Sequence, residues 1–392
     1  MGKLSMDLYI KNLKKRYQQS TRQEKAILLD EFCETSGFHR KHAIRLLNMK
    51  NKPQRKCPET RGRKPIYNHK AIIKPLKEIW LATDQLCSKR LKVALPLWVD
   101  SYAEFCGGLD DESKSQLLSI SATTIERLLT EDRAKTPRRI CATKPGSLLK
   151  NQIPVKTNQW NESKVGFVEA DTVAHCGTSL SGDFVWSVTL TDILTGWTEN
   201  RATWNKGAEG VVNQITDIEN KLPFDIKGFD CDNGSEFLNY HLIRHFQERS
   251  APTQFTRSRP YHKNDNAHVE QKNWTHVRQL FGYYRIENQE LVELMNDVYS
   301  NECSLLRNYF YPTMKLIEKQ RIQSKTKKVH DKPKTPYQRL MDSDCISTEK
   351  KQELTEIYKT LNPFKLKKSL EKKLNRIFQK IDLHLNGRKV AI

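Results

Sequence analysis

Three acidic residues in the middle of the chain stand where carboxylates could do chemistry: Asp171 in "VEADTV", Asp232 in "CDNGSEF" and Glu270 in "HVEQKN". Each has an ordinary reading by itself. An Asp-Asn-Gly step is a common turn, an aspartate near a strand end can bond a backbone amide, and a first-turn glutamate complements the helix dipole. Three acids brought to one place would repel each other, and divalent cations relieve that. Ligands that offer only oxygen select Mg²⁺ or Mn²⁺. Two such ions, about 4 Å apart, activate an attacking oxygen and stabilise a leaving one in phosphoryl displacement.

That chemistry requires elements that converge. Apolar runs with strand character cover 164–176, 183–196 and 196–204, followed by a helix at 207–222, a strand at 224–232, a helix at 235–248, a strand at 252–258 and a helix from about 266 to 282. Three strands followed by two helix–strand repeats predict a mixed five-stranded sheet, antiparallel at its opening and parallel in its continuation. Asp171 and Asp232 then lie near the carboxyl ends of neighbouring strands, where open α/β sheets bind ligands. On the last helix Trp274, Val277 and Phe281 follow Glu270 at +4, +7 and +11 and predict a buried stripe, with Glu270 at its upper end. Glu169 and Asp230 each sit two residues before an expected ligand and are read as its neighbours or as ion-pair partners. His175, His262 and His268 are read as structural or as phosphate contacts.

The 392-residue chain carries a formal net charge of +21. Residues 1–65 hold 17 Lys/Arg against 6 Asp/Glu and residues 301–392 hold 22 against 10, whereas residues 160–290 hold 13 against 18. Basic flanks around an acidic centre suit a polyanion gripped beside a cation site. The nine cysteines include no C-x-x-C pair, which argues for a reducing, intracellular setting and against a disulfide framework. Neither a membrane span nor the apolar stretch of a signal peptide is expected.

Residues 21–48 predict two helices joined by "TSG". Thr21 and Glu24 form a capping box, Ile27, Leu28 and Phe32 make one apolar face, and Ala43, Leu46 and Leu47 the other. The second helix shows His39, Arg40, Lys41 and Arg45 outward, as a helix-turn-helix reading a DNA groove would. Cys33, His39, His42 and Cys57 match no common zinc spacing. "TRGRKP", with Arg61, Arg63 and Lys64, suits a minor-groove arm. Residues 66–135 predict a second helical DNA-binding unit, ending in a helix capped by Ser121 or Thr123 and carrying Ile125, Leu128 and Leu129. The proline-containing, aperiodic stretch 136–160 is expected to be a linker.

"EADT", "DNGSEF" and "SRPYHKNDNAHVEQKNWTHVR" resemble the catalytic core of DDE integrases and of bacterial insertion-sequence transposases, over about residues 160–310. The separation of Asp232 and Glu270, 38 residues, fits that superfamily. The resemblance implies a ribonuclease H-like core in which Asp171 bridges two cations while Asp232 and Glu270 each complete one. It also implies that Asn266, Lys272 and Asn273 face DNA; Lys263, on the loop approaching Glu270, and Arg278, further along the helix, are read as DNA contacts beside them. The His-His-Cys-Cys zinc module that begins retroviral integrases has no counterpart here, which favours the bacterial type.

The expected organisation is therefore multidomain. Residues 1–65 form a helix-turn-helix region with a basic arm, 66–135 a second helical unit, 136–160 a linker and 161–310 the α/β core. Residues 311–392 form a basic, mainly helical C-terminal region in which Leu366, Leu370, Leu374 and Phe378 share one helix face. The implied partners are double-stranded DNA and further copies of the chain. The implied activity is cleavage at the ends of a mobile element and joining of the 3′-hydroxyl to target DNA. A structure-selective nuclease of the same fold and a DNA-binding regulator derived from a transposase are the alternatives.

Overall fold

Thr21 starts the second helix of the chain, and the reason is local. Its hydroxyl and backbone engage Glu24 in a reciprocal capping box, and Gly37 ends the helix at φ +70° with its N–H on Cys33 O. The computed structural model describes residues 3–49, 66–67, 70–135, 164–231, 237, 240–248, 253–257, 267–322 and 325–390. They fall into two units, Met1–Ile66 and Tyr67–Ile392. In the first, α1 (Lys3–Gln19), α2 (Arg22–Ser36) and α3 (Arg40–Asn48) close on Leu13, Tyr17, Leu28, Leu29, Phe32, Ala43 and Leu47. Ile27 was expected in this core but is 60% exposed, because Leu28, Leu29 and Phe32 form the stripe that meets α1 and α3.

The second unit is built on a mixed sheet of order β3-β2-β1-β4-β5: β1 (Phe167–Ala174), β2 (Val185–Asp192), β3 (Thr198–Trp204), β4 (Gly228–Cys231) and β5 (Gln254–Arg257). β1 pairs antiparallel with β2 and parallel with β4, β2 antiparallel with β3, and β4 parallel with β5, as the strand pattern predicts. Gly166 begins β1 at φ +102°, and a Cβ there would stand 2.3 Å from Asp225 O. Only glycine allows this approach, and it aligns β1 with the segment leading into β4.

Side chains alternate across a strand. Val168 and Ala170 of β1, with Val188, Leu190 and Phe229, pack on one side against α9 (Ala208–Lys221) and α10 (Tyr240–Gln247). The opposite side of β1 carries Glu169 and Asp171. On that side lies a long helix: α11 (Ala267–Lys272), a π-helical segment Asn273–Arg278, and α12 (Gln279–Phe281).

β3 ends the sheet, and an open strand edge invites pairing with other chains. Two asparagines close it. Asn296 on α13 (Leu291–Val298) accepts from Ala202 N at 2.6 Å and donates to Ala202 O at 2.9 Å. Asn308, in the π-helical segment Leu306–Phe310, does the same to Thr198 N and O at 2.9 and 3.1 Å. Each amide satisfies a donor and an acceptor as a neighbouring strand would.

Residues 66–135 do not stand as a unit of their own. α4 (Lys70–Ala82), α5 (Ser88–Cys106), α6 (Asp111–Ser119) and α7 (Ala122–Leu128) share one apolar core with α13 and the C-terminal helices α14 (Pro336–Met341), α15 (Thr348–Thr360) and α16 (Pro363–Val390), and the short α8 (Thr130–Lys135) follows α7 with no buried side chain. Trp98 is fully buried. Its ring meets Phe310, Tyr311 and Phe364 edge-on, and its indole N–H reaches Phe310 O. Ser121 caps α7, and Ile125 and Leu129 are buried in this shared core. The expected linker 136–160 lies outside the described residues. Between the helices a two-stranded antiparallel ribbon appears, β6 (Leu316–Ile322) with β7 (Lys325–His330), in a region expected to be mainly helical.

Candidate active site

Asp171 stands towards the end of β1, on the face covered by α11. Its Oδ1 accepts from Thr172 N at 2.8 Å, and its Oδ2 accepts from Asn273 Nδ2 at 2.6 Å. Asn273 lies three residues after Glu270, on the same side of the helix, so this bond ties the Glu270 helix to β1 at Asp171. Glu270 is exposed, not tucked against the sheet as the stripe suggested. From Asn273 the helix widens into its π-helical turn, and along it Val269, Lys272, Asn273, His276 and Val277 are buried while Trp274 is only half-buried.

Glu169 does work that spacing alone did not reveal. It is buried, and its Oε2 accepts from His268 N and Val269 N, both at 3.0 Å. These are first-turn amides of α11, which have no partner within the helix. The carboxyl group therefore seats the helix end that carries Glu270. Asp230 is its register neighbour on β4, also buried, and accepts from Thr256 Oγ1 at 2.8 Å. Burial raises the Glu169 carboxyl to about 8, against the two amides, with Asp230 and Glu270 pushing it further up. Four acids, Glu169, Asp171, Asp230 and Glu270, thus gather around β1, β4 and the start of α11. The residue one step beyond the last β4 pairing is Asp232, which lies outside the described residues, as do Arg61, Arg63, Lys64, His262, Lys263 and Asn266.

Three residues expected to face DNA are turned inward. Lys272 is buried, and its Nζ donates to Gly196 O at 3.0 Å in the β2–β3 turn. Desolvation, with Arg90, Arg307, Arg339 and Lys315 nearby, lowers it to about 7. Asn273 is occupied with Asp171. Arg278 is half-buried, donates to Ala174 O at 3.0 Å and lies over the Tyr283 ring at 4.7 Å. On α3, Arg40, Lys41 and Arg45 are exposed as expected, with Arg40 paired to Asp30 and Arg45 against His42 Nδ1 at 3.2 Å.

The donor set at this edge is carboxylate and amide oxygen, and it fits hard divalent cations. Asn273 Oδ1, beside Asp171, is buried without a partner. Among the described residues alone no group of three His, Cys, Asp or Glu side chains closes around a point.

His175, just past β1, is fully buried. Its Nε2 meets Ser187 Oγ at 2.8 Å, and Nδ1 has no partner. Burial, helped by Arg278, lowers it to about 3. The unfolded chain takes up a proton near the usual 6.5 while the folded one does not, so stability is complete above pH 6.5 and is lost as pH falls towards 3. The expected cost is about 1.4 kcal/mol per pH unit below 6.5. His276, also buried and also lowered, adds a loss of the same sign. Urea titrations from pH 7.5 to 5 check this: His175→Gln should flatten the dependence by about one proton, and superimposable profiles would refute the assignment.

The fold and the site define an α/β protein with a mixed five-stranded sheet and an acidic edge that a helix closes. The chain is 39% identical over 329 residues to the uncharacterized protein y4rM of Sinorhizobium fredii (strain NBRC 101917 / NGR234), a match covering 83% of this chain and 91% of that protein. It belongs to the same family as y4rM. No family model matches. Among solved structures, the HTLV-2 integrase catalytic core domain in complex with magnesium is similar at a TM-score of 0.28 and 13% identity, over 38% of this chain and 92% of that one. The catalytic core domain of BIV integrase is similar at 0.27 and 14%, over 37% and 84%. No helix among the described residues is long and apolar enough to cross a membrane.

Proposed function

We propose that this protein is a DNA transposase of the bacterial insertion-sequence, DDE type, with a ribonuclease H-like core. It binds the ends of a mobile element, cuts DNA strands there and joins the freed 3′-hydroxyls to target DNA. The observation that carries the reading is the Asn273–Asp171 bond. It ties the helix that carries Glu270 to β1 at Asp171 in a mixed sheet, which supports the reading that these two acids act together. Two Mg²⁺ or Mn²⁺ ions, held by Asp171, Asp232 and Glu270, would supply the polarisation of attacking and leaving oxygens when bound.

The chain's own residues supply the rest. Asn273 orients Asp171. Glu169 holds the first turn of α11, and with it Glu270, against the sheet. Arg40, Lys41 and Arg45 on the exposed face of α3, together with Arg61, Arg63, Lys64, Lys263 and Asn266, are proposed to contact DNA. Lys272, Asn273 and Arg278 are withdrawn from that set because their polar groups are engaged within the protein. Several copies of the chain are proposed to act together on two element ends.

The test uses the full-length protein with labelled duplexes carrying the DNA that flanks its gene, in Mg²⁺, Mn²⁺, Ca²⁺ or EDTA. Cut ends and strands joined to target DNA are expected with Mg²⁺ or Mn²⁺ and not with Ca²⁺ or EDTA. Cut ends that are never joined would replace the transposase by a nuclease. Binding without any cutting would leave a DNA-binding regulator.

A further inference from the structure

The β6–β7 ribbon packs chiefly on itself, although a lone two-stranded hairpin is marginal in water. From Leu316 to His330 its sequence holds five lysines and arginines against one glutamate. Lys319 faces Lys328 directly across the ladder, and Gln320 faces Lys327. Like charges in directly opposite positions destabilise a strand pair. Lys327, Lys328, Val329 and His330 are all exposed. A ribbon with such a charge excess gains what it lacks from a polyanion.

The root of the ribbon is fixed, and its place is informative. Asp331 N donates to Lys315 O at 3.0 Å, Asp331 Oδ1 accepts from Lys315 N at 2.7 Å, and Asp331 Oδ2 pairs with Arg339 at 2.6 Å. Thr313 and Lys334 form a further bridge below it. Lys315 Nζ then donates to Leu194 O at 2.5 Å. Leu194 belongs to the β2–β3 turn, whose Gly196 O receives Lys272 Nζ, two residues from Glu270. The ribbon is therefore rooted beside the helix that carries Glu270.

We infer that the β6–β7 ribbon is a DNA-binding arm that enters a groove of the duplex lying at the carboxylate edge. A strand of seven residues reaches about 23 Å, and a major groove about 12 Å wide admits a two-stranded ribbon. Lys327 and Lys328 point to opposite faces of the ribbon and meet phosphates on the two walls of the groove. The duplex as partner rests on the function proposed above, but the ribbon's role is read from binding alone.

The experiment measures equilibrium binding of the full-length protein to a mixed-sequence DNA duplex over a range of salt concentrations. Three proteins are compared: wild type, Lys327→Gln/Lys328→Gln, and a chain in which residues 318–328 are replaced by an Asn-Gly turn. Each lost phosphate contact removes about 0.9 from the slope of log K against log salt. The double variant should therefore lose nearly two units of slope and bind roughly tenfold more weakly or worse at physiological salt. The shortened chain should lose at least as much. Slopes equal to wild type in both would overturn the inference, as would equal slopes with a changed sedimentation profile, which would make the ribbon a contact between copies of the chain. Because the slope does not depend on cleavage, a wild-type protein that binds but never cuts would refute the transposase reading while the ribbon is still decided.

Discussion

Asp171→Asn is expected to abolish metal-dependent strand cleavage, a loss of several orders of magnitude, while duplex binding and thermal stability stay close to wild type. The amide keeps the shape of the carboxylate, and its oxygen can still accept from Asn273 Nδ2 or Thr172 N. What it loses is the negative charge, without which a hard cation is held poorly. Glu270→Gln should behave alike, and more cleanly, because Glu270 is exposed and its replacement disturbs little packing. Asn273→Ala tests the geometry separately. Removing a partner that orients a ligand typically costs about 10- to 100-fold, so this variant should cut slowly and recover in part at high Mn²⁺. Asp230→Asn should matter much less, since Asp230 is buried and already bonded to Thr256. The measurement is single-turnover cleavage of labelled ends with binding recorded in parallel. Full cleavage by Asp171→Asn would remove this edge as the reaction centre, and loss with Asp230→Asn alone would move the second ligand to that residue.

The parts of this molecule that were legible in the sequence are those set by local pattern. Period-two apolar runs marked β1 to β3, and the alternation of strand and helix after Trp204 marked a parallel continuation, which the register of β1 on β4 and β4 on β5 reproduces. What pattern could not supply is where long-range contacts override it. Nothing local announces the π-helical turn at Asn273, or that Lys272 and Asn273 are buried beside an exposed Glu270. Lys272 reads as a solvent-facing lysine until the β2–β3 turn is seen to offer it Gly196 O. Glu169 reads as a redundant neighbour of Asp171 until the first-turn amides of α11 arrive on it from about 100 residues away. The apolar faces of α4 to α8 were visible, but periodicity says only that a face is buried, not against what. The same gap hid the cover over β3, because an asparagine on a helix carries no sign that it will pair with a strand edge.

That last kind of ambiguity matters most at Trp98, whose replacement by alanine should be the most damaging single change in the second unit. The indole fills a space bounded by Phe310, Tyr311 and Phe364, and its N–H holds Phe310 O at 3.2 Å. Truncating a buried tryptophan costs about 3–5 kcal/mol, a large part of the roughly 5–15 kcal/mol that holds a typical domain together. The consequence extends to how the chain can be divided. A cut between residues 135 and 161 looks natural in a proline-containing stretch, but it would remove α4 to α8 and uncover the aromatic residues that Trp98 and Tyr102 pack against, Phe364 among them. A fragment starting at residue 161 should therefore be insoluble or molten, whereas one starting at Tyr67 should fold and unfold cooperatively, because that unit closes an apolar core of its own. Residues 1–66 should fold alone as three helices on the Leu29, Phe32 and Leu47 core. Thermal unfolding and near-ultraviolet circular dichroism of the three fragments decide the matter. A well-packed, cooperative 161–392 would mean that α4 to α8 are an appendage.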